Sequence, residues 1–109
     1  MIPSTVHVTP WESVTPPTEA LLTEIMNAQG LNPSIWSNSP RDIYSAHKHN
    51  YTKVVYVVSG SITFHLPLLK KSVTLKAGDR LDLPADVVHS AEIGADGVVC
   101  LEGHWEHKK

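Results

Sequence analysis

The sequence is short of several features that mark common classes of protein. Its 109 residues include one cysteine, Cys100, so no intrachain disulfide framework is possible. No stretch approaches the roughly 18 apolar residues that a membrane-spanning helix needs. Lys and Arg number 9 against 11 Asp and Glu, and the only basic pairs are Lys70–Lys71 and Lys108–Lys109. The sequence therefore lacks the clustered positive charge that nucleic acid or an anionic membrane attracts.

The start and the size of the chain narrow the class further. The first residues, MIPSTVHVTPWE, contain neither a basic start nor an apolar run, so they do not resemble a secretory signal. With 41% hydrophobic residues the chain can bury one modest core and is not composed like a disordered protein. We therefore expect a single domain over residues 1–109, located in the reducing cytoplasm.

The sequence does contain one helix, placed before a series of short strands. Four prolines in residues 1–17 predict an extended arm with at most an edge strand at Val6–Val8. Thr18 and Gly30 are typical of the two ends of a helix, which we predict over residues 18–29. Its apolar stripe is Leu21, Leu22, Ile25 and Met26. The arm and helix occupy residues 1–33, and we expect a β-barrel over residues 34–105.

Short β-branched or alternating runs follow, with turn signals about every 8 to 12 residues, which is typical of a β-sandwich or barrel. We predict Ser59–Ser61 to be the tight turn of a hairpin, Gly94–Gly97 to be a second turn, and PLLKKS to be a loop. The predicted strands cover residues 34–37, 54–58, 62–66, 73–76, 80–83, 87–93 and 98–104.

Histidine is abundant, with seven in so short a chain, and two histidines stand one residue apart in the stretch SAHKHNYTK. Alternate residues of a strand share a face, so we predict that His47 and His49 point the same way. Two histidines with this spacing can bind a metal from one face of a strand. Lys53 has the same parity, and we expect it to face the same side.

Two spaced motifs resemble those of the cupins. The first cupin motif runs G-x5-H-x-H-x3-4-E-x6-G, and this chain matches it with His47, His49 and Gly60. The second runs G-x5-P-x-G-x2-H-x3-N, and Gly78, Pro84 and His89 match it, 17 residues after Gly60. The resemblance implies an all-β cupin fold, which is a double-stranded β-helix or jelly-roll barrel, here with one short N-terminal helix.

The chain departs from the cupin motifs at four positions. Asp86 replaces the second-motif glycine, Ile93 the closing asparagine and Arg41 the opening glycine. We expect Asp86 and Ile93 to alter only turns, since Asp tolerates the left-handed conformation. Lys53 replaces the acidic metal ligand, which changes the chemistry. In this it resembles a subgroup of small bacterial cupins that carry the same lysine.

The resemblance implies that His47, His49 and His89 all point into the barrel cavity. Three neutral imidazoles suit divalent Fe, Mn, Zn, Ni or Cu. Three protein ligands leave coordination positions open for water or substrate, as in catalytic metal sites. The alternative is a cavity that has lost its metal and binds an organic ligand through the same histidines.

Lys53 can have several roles, because an ammonium group is repelled by a metal cation beside it. It could become a neutral amine that acts as a base, pair with Glu102 or Glu92, or hold an anionic substrate next to the metal. It could also extend out of the barrel mouth and have no chemical role. Among the chemical roles we favour pairing with Glu102, and we take Lys53 and Glu102 as candidate catalytic residues.

Other residues are interpreted more simply. Tyr44 and Tyr51 flank the histidines and either line the cavity mouth or pack against the barrel. We expect three further histidines at the surface, His65, His104 and His107, with His104 the best candidate for a cavity residue. Cys100 is expected to be a small apolar core residue. The tryptophans are expected to pack, with closure of the barrel or a dimer contact as alternatives: Trp11, Trp36 and Trp105.

Two functions follow from these interpretations. The first is a metal-dependent enzyme of dioxygenase, lyase or isomerase type that acts on a small polar or anionic molecule. The alternative is a non-catalytic module that binds a small ligand, with Lys53 in place of the metal carboxylate. Both have a small-molecule partner and neither nucleic acid nor a membrane. We also expect a homodimer, since cupins commonly dimerise through edge strands.

Overall fold

Seven strands and one α-helix make up the structure, a computed structural model that describes residues 5–105. In chain order the elements are β1 (His7–Thr9), α1 (Glu19–Ala28), β2 (Ser34–Asn38), β3 (Ile43–His47), β4 (Thr52–Leu66), a 3-10 helix (Pro67–Leu69), β5 (Lys71–Lys76), β6 (Arg80–Leu83) and β7 (His89–Trp105). Within the described range, no helix is long and apolar enough to span a membrane. The expectations for His107 and Lys108–Lys109 fall outside the described residues.

Two long antiparallel strands, β4 and β7, form the frame of the barrel. They pair from Thr52 opposite Trp105 to His65 opposite Ser90. At one end the strand order is β1-β6-β4-β7-β2, and at the other end β5 pairs with β4 while β3 pairs with β7. The prediction of an all-β jelly-roll barrel with one short helix is therefore confirmed.

The two long strands bend where we predicted turns, so the predicted hairpin at Ser59–Ser61 and the turn at Gly94–Gly97 are both wrong. The β4–β7 register shifts between Val57 and Ile62, but both strands continue through the shift. Gly60 and Gly97 have φ angles of +77° and +76°, and a Cβ on Gly60 would lie 2.0 Å from the Gly97 carbonyl oxygen. These glycines permit a close approach of the paired strands β4 and β7 at the register shift, and the chain does not reverse there.

Strand β3 is missing from the predicted strand ranges, although the predicted shared face of His47 and His49 assumed a strand there. Its five residues are all exposed and show no apolar alternation. It forms through pairing with β7, with Ile43 opposite Glu92 and His47 opposite His89. The predicted loop PLLKKS instead contains the 3-10 helix, and β5 starts at Lys71. Strand β3 depends on a segment distant in sequence. The 3-10 helix and the start of β5 are local, because the Lys70 amide donates to the Pro67 carbonyl and Lys71 pairs with Leu66.

The helix begins and ends as predicted to within one residue. The Thr18 hydroxyl accepts a hydrogen bond from the Leu21 amide at 3.1 Å. At the other end Gly30 has a φ angle of +77°, and its amide and that of Leu31 donate to the carbonyls of the last turn. Leu22 and Met26 are fully buried.

The residues of β4 alternate between two cores. Val55 and Val57 belong to the barrel interior, whereas Val54 and Tyr56 pack with Leu22 and Met26 of α1 on the outer face. Both faces of this strand segment are therefore buried, which explains its continuous apolar sequence. Lys53 has the parity of Val55, so it starts from the inner face.

Candidate functional site

The three predicted ligands meet at one end of the barrel interior. His47 ends β3, His89 begins β7 directly opposite it, and His49 lies in the connection to β4. One donor nitrogen from each ring lies within 4.8 Å of the others. The ring centroids are 4.3 Å apart for His47–His89, 4.8 Å for His47–His49 and 5.2 Å for His49–His89.

His49 does not reach the site by strand parity, and that part of the interpretation is wrong. Strand β3 ends at His47, and the backbone of His49 is held instead by the Asp86 amide, which donates to the His49 carbonyl at 2.7 Å. Asp86 has a φ angle of +66°, the left-handed conformation expected at this motif position. The second motif thus anchors a ligand of the first.

The hydrogen bonds of the rings leave metal-binding nitrogens free. His47 Nδ1 lies 2.7 Å from the Ser45 carbonyl oxygen, and His89 Nδ1 lies 2.9 Å from that of Val87. A carbonyl only accepts, so each Nδ1 carries the proton and each Nε2 presents a lone pair. The Nε2 atoms of His49 and His89 are buried and have no hydrogen-bond partner among the described residues. Such atoms call for a ligand.

The electrostatic surroundings keep the rings of His49 and His89 neutral. Burial, followed by the positive charge of Lys53 and the neighbouring histidines, lowers the pKa of His49 from 6.5 to about 4. Burial also lowers the pKa of His89, although the hydrogen bond to Val87 opposes the shift. Neutral imidazole is the form that binds metal. These two rings can therefore accept a cation without first releasing protons at neutral pH.

Lys53 pairs with Glu102 beside the histidines. The Lys53 Nζ atom lies 3.3 Å from Glu102 Oε1, and the two side chains are only 13% and 16% exposed. Trp36 Nε1 donates to the same Oε1 at 3.0 Å, and His104 Nε2 lies 2.8 Å from Oε2. Burial alone would raise the pKa of Glu102, but the hydrogen bond with His104 and the charge of Lys53 lower it below its ordinary value. Glu102 is thus an ionised carboxylate held by three donors.

The alternative partner of Lys53, Glu92, lies elsewhere. Its Oε1 atom is 3.0 Å from His65 Nε2, and His65 Nδ1 is 2.7 Å from the Ser72 hydroxyl. These three side chains are on the outer face, because the neighbouring Phe64 belongs to the interior core. A pairing of Lys53 with Glu92 is therefore excluded in this structure.

The histidines line a cavity of about 280 Å³ together with Lys53 and Glu102. The remaining lining residues are mainly apolar: Trp36, Tyr44, Ile62 and Ala91. Trp36 was expected to pack or to close the barrel, and its hydrogen bond with Glu102 in the site was missed. Its contact with Glu102 depends on the pairing of β2 with β7, which no local pattern of the sequence reveals.

Tyr51 and His104 support the site from behind. The Tyr51 ring stacks on His49 at 4.9 Å and on His104 at 3.9 Å, and its hydroxyl lies 3.2 Å from His49 Nδ1. His104, though half-exposed, connects this stack to Glu102. Cys100 is fully buried, and burial raises the pKa of its thiol to about 12, so it packs rather than acting as a nucleophile.

Comparisons with known proteins identify the fold. No protein-family model matches the chain, and no curated protein shows significant similarity. A DUF861 family protein from Thermotoga maritima has a similar structure, with a TM-score of 0.63, 14% identity and coverage of 93% of this chain and 100% of that one. An RmlC-like cupin from Shewanella frigidimarina gives a TM-score of 0.59, 21% identity and coverage of 71% and 67%. The chain has the cupin fold.

A third cupin-fold neighbour is the polyketide cyclase RemF from Streptomyces resistomycificus. Its TM-score is 0.58 at 19% identity, with 71% of this chain and 56% of that chain covered. At these identities the similarity establishes the fold alone. The cupin fold that the two motifs predicted is thereby confirmed, and the three histidines form a group that could hold a metal.

Proposed function

We propose that this cupin-fold protein is a metal-dependent enzyme that acts on a small polar or anionic molecule. His47, His49 and His89 would hold one divalent transition metal, for which Fe, Mn, Zn, Ni and Cu all have suitable ligand chemistry. The observation that carries the proposal is the pair of buried Nε2 atoms on His49 and His89 without hydrogen-bond partners among the described residues. Buried lone pairs are costly to leave unpaired, and an ion or ligand bound between the rings would satisfy them.

The chain's own residues would divide the work in the cavity. A bound metal would supply Lewis acidity toward a substrate oxygen. Lys53 is placed to donate a hydrogen bond or a proton to an anionic substrate group, since Glu102 engages it on one side only. Glu102, with Trp36 and His104 as further donors, would keep Lys53 charged and oriented rather than serve as a fourth metal ligand. The apolar lining would exclude water.

A binding module without metal is the second candidate, and the position of Lys53 favours it. Its positive charge contributes to the lowered pKa of His49, and the same charge opposes a cation at the histidines. In that case the three rings and Lys53 would bind an organic anion directly. We favour the enzyme because three ligands with open positions are typical of catalytic centres, and because a polyketide cyclase shares the fold.

The metal content of tag-free protein tests the proposal. Wild type, His89→Ala and His65→Ala would be purified together and measured by elemental analysis. We expect about one transition metal per chain in wild type and in His65→Ala, whose histidine is on the outer face, and none in His89→Ala. A metal-free wild type, or equal metal in all three proteins, would contradict the metal-dependent enzyme.

A further inference from the structure

The lining of the cavity divides into two chemically different groups of side chains. Charged and polar atoms come from the three histidines, Lys53 and Glu102, and carbon surface comes from Trp36, Tyr44, Ile62 and Ala91. Ile62 and Ala91 are almost fully buried and are aliphatic. A ligand that fills this volume must therefore place a polar group against the first group and an apolar body against the second.

The polar groups of the two aromatic side chains are engaged by other residues, so both rings contribute mainly carbon surface to the cavity. The Trp36 indole N–H donates to Glu102 at 3.0 Å. The Tyr44 hydroxyl bonds to the Asn38 side chain, which is not among the cavity-lining residues. The two rings contact each other edge to face, with centroids 6.3 Å apart and planes at 77°. They present carbon surface to a ligand and leave few partners for sugar hydroxyl groups.

The polar lining offers free hydrogen-bond donors to an anion. Glu102 is already engaged by Lys53, Trp36 and His104, so its carboxylate oxygens are occupied. The Lys53 ammonium group has three N–H donors, and Glu102 takes one of them. The remaining donors are in a mostly buried setting, where a hydrogen bond to a carboxylate is stronger than at the surface.

We propose that the substrate class of this cavity is a small organic carboxylate with a planar, apolar body, rather than a sugar or another polyol. The inference rests on the proposed function for the reaction, but the binding preference derives from Lys53 and the aromatic wall and applies with or without metal. The carboxylate would bind to Lys53, and the planar body would lie against the aromatic rings and the aliphatic residues.

Three probes of matched chemistry test this preference on metal-stripped and untreated protein. Phenylacetate has both the charge and the apolar body, phenylacetamide has the same shape without the charge, and gluconate has the charge on a polyol. Binding is followed through the indole N–H resonance of Trp36, which reports on the cavity itself. We expect phenylacetate to bind at least about tenfold more tightly than either other probe in the stripped protein.

A pair of lysine variants identifies the residue responsible. Lys53→Met should weaken phenylacetate about tenfold and leave phenylacetamide unchanged, while Lys76→Met, outside the cavity, should change neither. Gluconate binding as tightly as phenylacetate, equal affinity for the acid and its amide, or no effect of Lys53→Met would overturn the inference. The probe comparison in stripped wild type needs neither a metal nor a folded variant, so its outcome is separate from that of the metal analysis.

Discussion

At the residue scale, the unusual feature of this site is a lysine where a metal carboxylate is expected. Lys53 lies inside the barrel with the histidines, and its charge is balanced by Glu102 rather than by an ion. Because the pair is mostly buried, removing one partner leaves the other uncompensated. We therefore expect Lys53 to limit the affinity for a cation and to offer a hydrogen-bond donor to anions.

The substitution Lys53→Glu tests this role. It would remove a repulsive charge and restore a fourth potential ligand, so we expect the affinity for Zn(II) to rise at least about tenfold in calorimetric titration. Without metal the same variant should lose about 1–3 kcal/mol of unfolding free energy, since two carboxylates then meet. Lys76→Glu makes the same charge change outside the cavity and should change neither quantity. Unaltered affinity in Lys53→Glu would show that Lys53 does not oppose the cation.

The pH dependence of stability follows from His49. Its pKa is about 4 in the folded protein and 6.5 ordinarily, so between these values the unfolded chain binds a proton that the native protein does not. Stability is then fully present above about pH 6.5 and falls as the pH drops toward about 4. His89 contributes in the same direction.

Urea unfolding of metal-free protein across this range is the measurement. We expect wild type to lose stability as the pH falls and His49→Asn to show a shallower slope, with His65→Asn, whose ring is on the outer face, retaining the wild-type slope. Because the His49 ring is partly exposed, solvent screening limits its share to roughly 1–2 kcal/mol. A wild-type stability that does not change with pH here would contradict the buried neutral site.

At the element scale, the long strands β4 and β7 are bent by glycines that sequence reasoning took for turns. Gly60 has a positive φ angle, and a Cβ added to it would lie 2.0 Å from the Gly97 carbonyl oxygen. Gly30, after the helix, has the same φ angle of +77° but no atom within 4 Å of an added Cβ. The two positions therefore separate conformational strain from steric conflict.

Replacing each glycine with alanine should give different losses. Gly30→Ala should lower the free energy of unfolding by about 1 kcal/mol, because the alanine must adopt a left-handed backbone conformation. Gly60→Ala has the same strain and must also separate β4 from β7, so we expect its free energy of unfolding to fall by about 3 kcal/mol or more in chemical denaturation. Equal losses would mean that the close approach of β4 and β7 at Gly60 adds nothing to the cost of the substitution.

These glycines also show which elements could be predicted. The helix from Thr18 to Gly30 was predictable because its capping groups and apolar stripe are local. The strand around Val55 was predictable because its β-branched run is local as well. The bounds of strand β3 were not predictable, since it forms only by pairing with β7. The bend at Gly60 was not predictable either, because a glycine in a bent strand and a glycine in a turn look the same in the sequence.

At the scale of the whole molecule, the cupin fold decides what converges. The spacing of His47, His49 and His89 in two motifs led to the cavity, although the strand-parity argument for His49 was wrong. The Lys53–Glu102 pairing could be proposed because both have inward parity on neighbouring strands. Tyr44 was a candidate for the cavity mouth from the sequence, but its edge-to-face contact with Trp36 could not be predicted, because β2 and β3 come together only through long-range pairing with β7.

We predict that these three histidines, which come from the end of β3, the connection to β4 and the start of β7, bind one metal. X-ray absorption spectroscopy of tag-free protein loaded with one equivalent of Zn(II) tests this most directly, because imidazole ligands give a distinct multiple-scattering pattern. We expect three imidazole nitrogens at about 2.0–2.1 Å, completed by oxygen from water and with no sulfur. A shell of oxygen alone, or with one imidazole, would contradict a three-histidine metal centre.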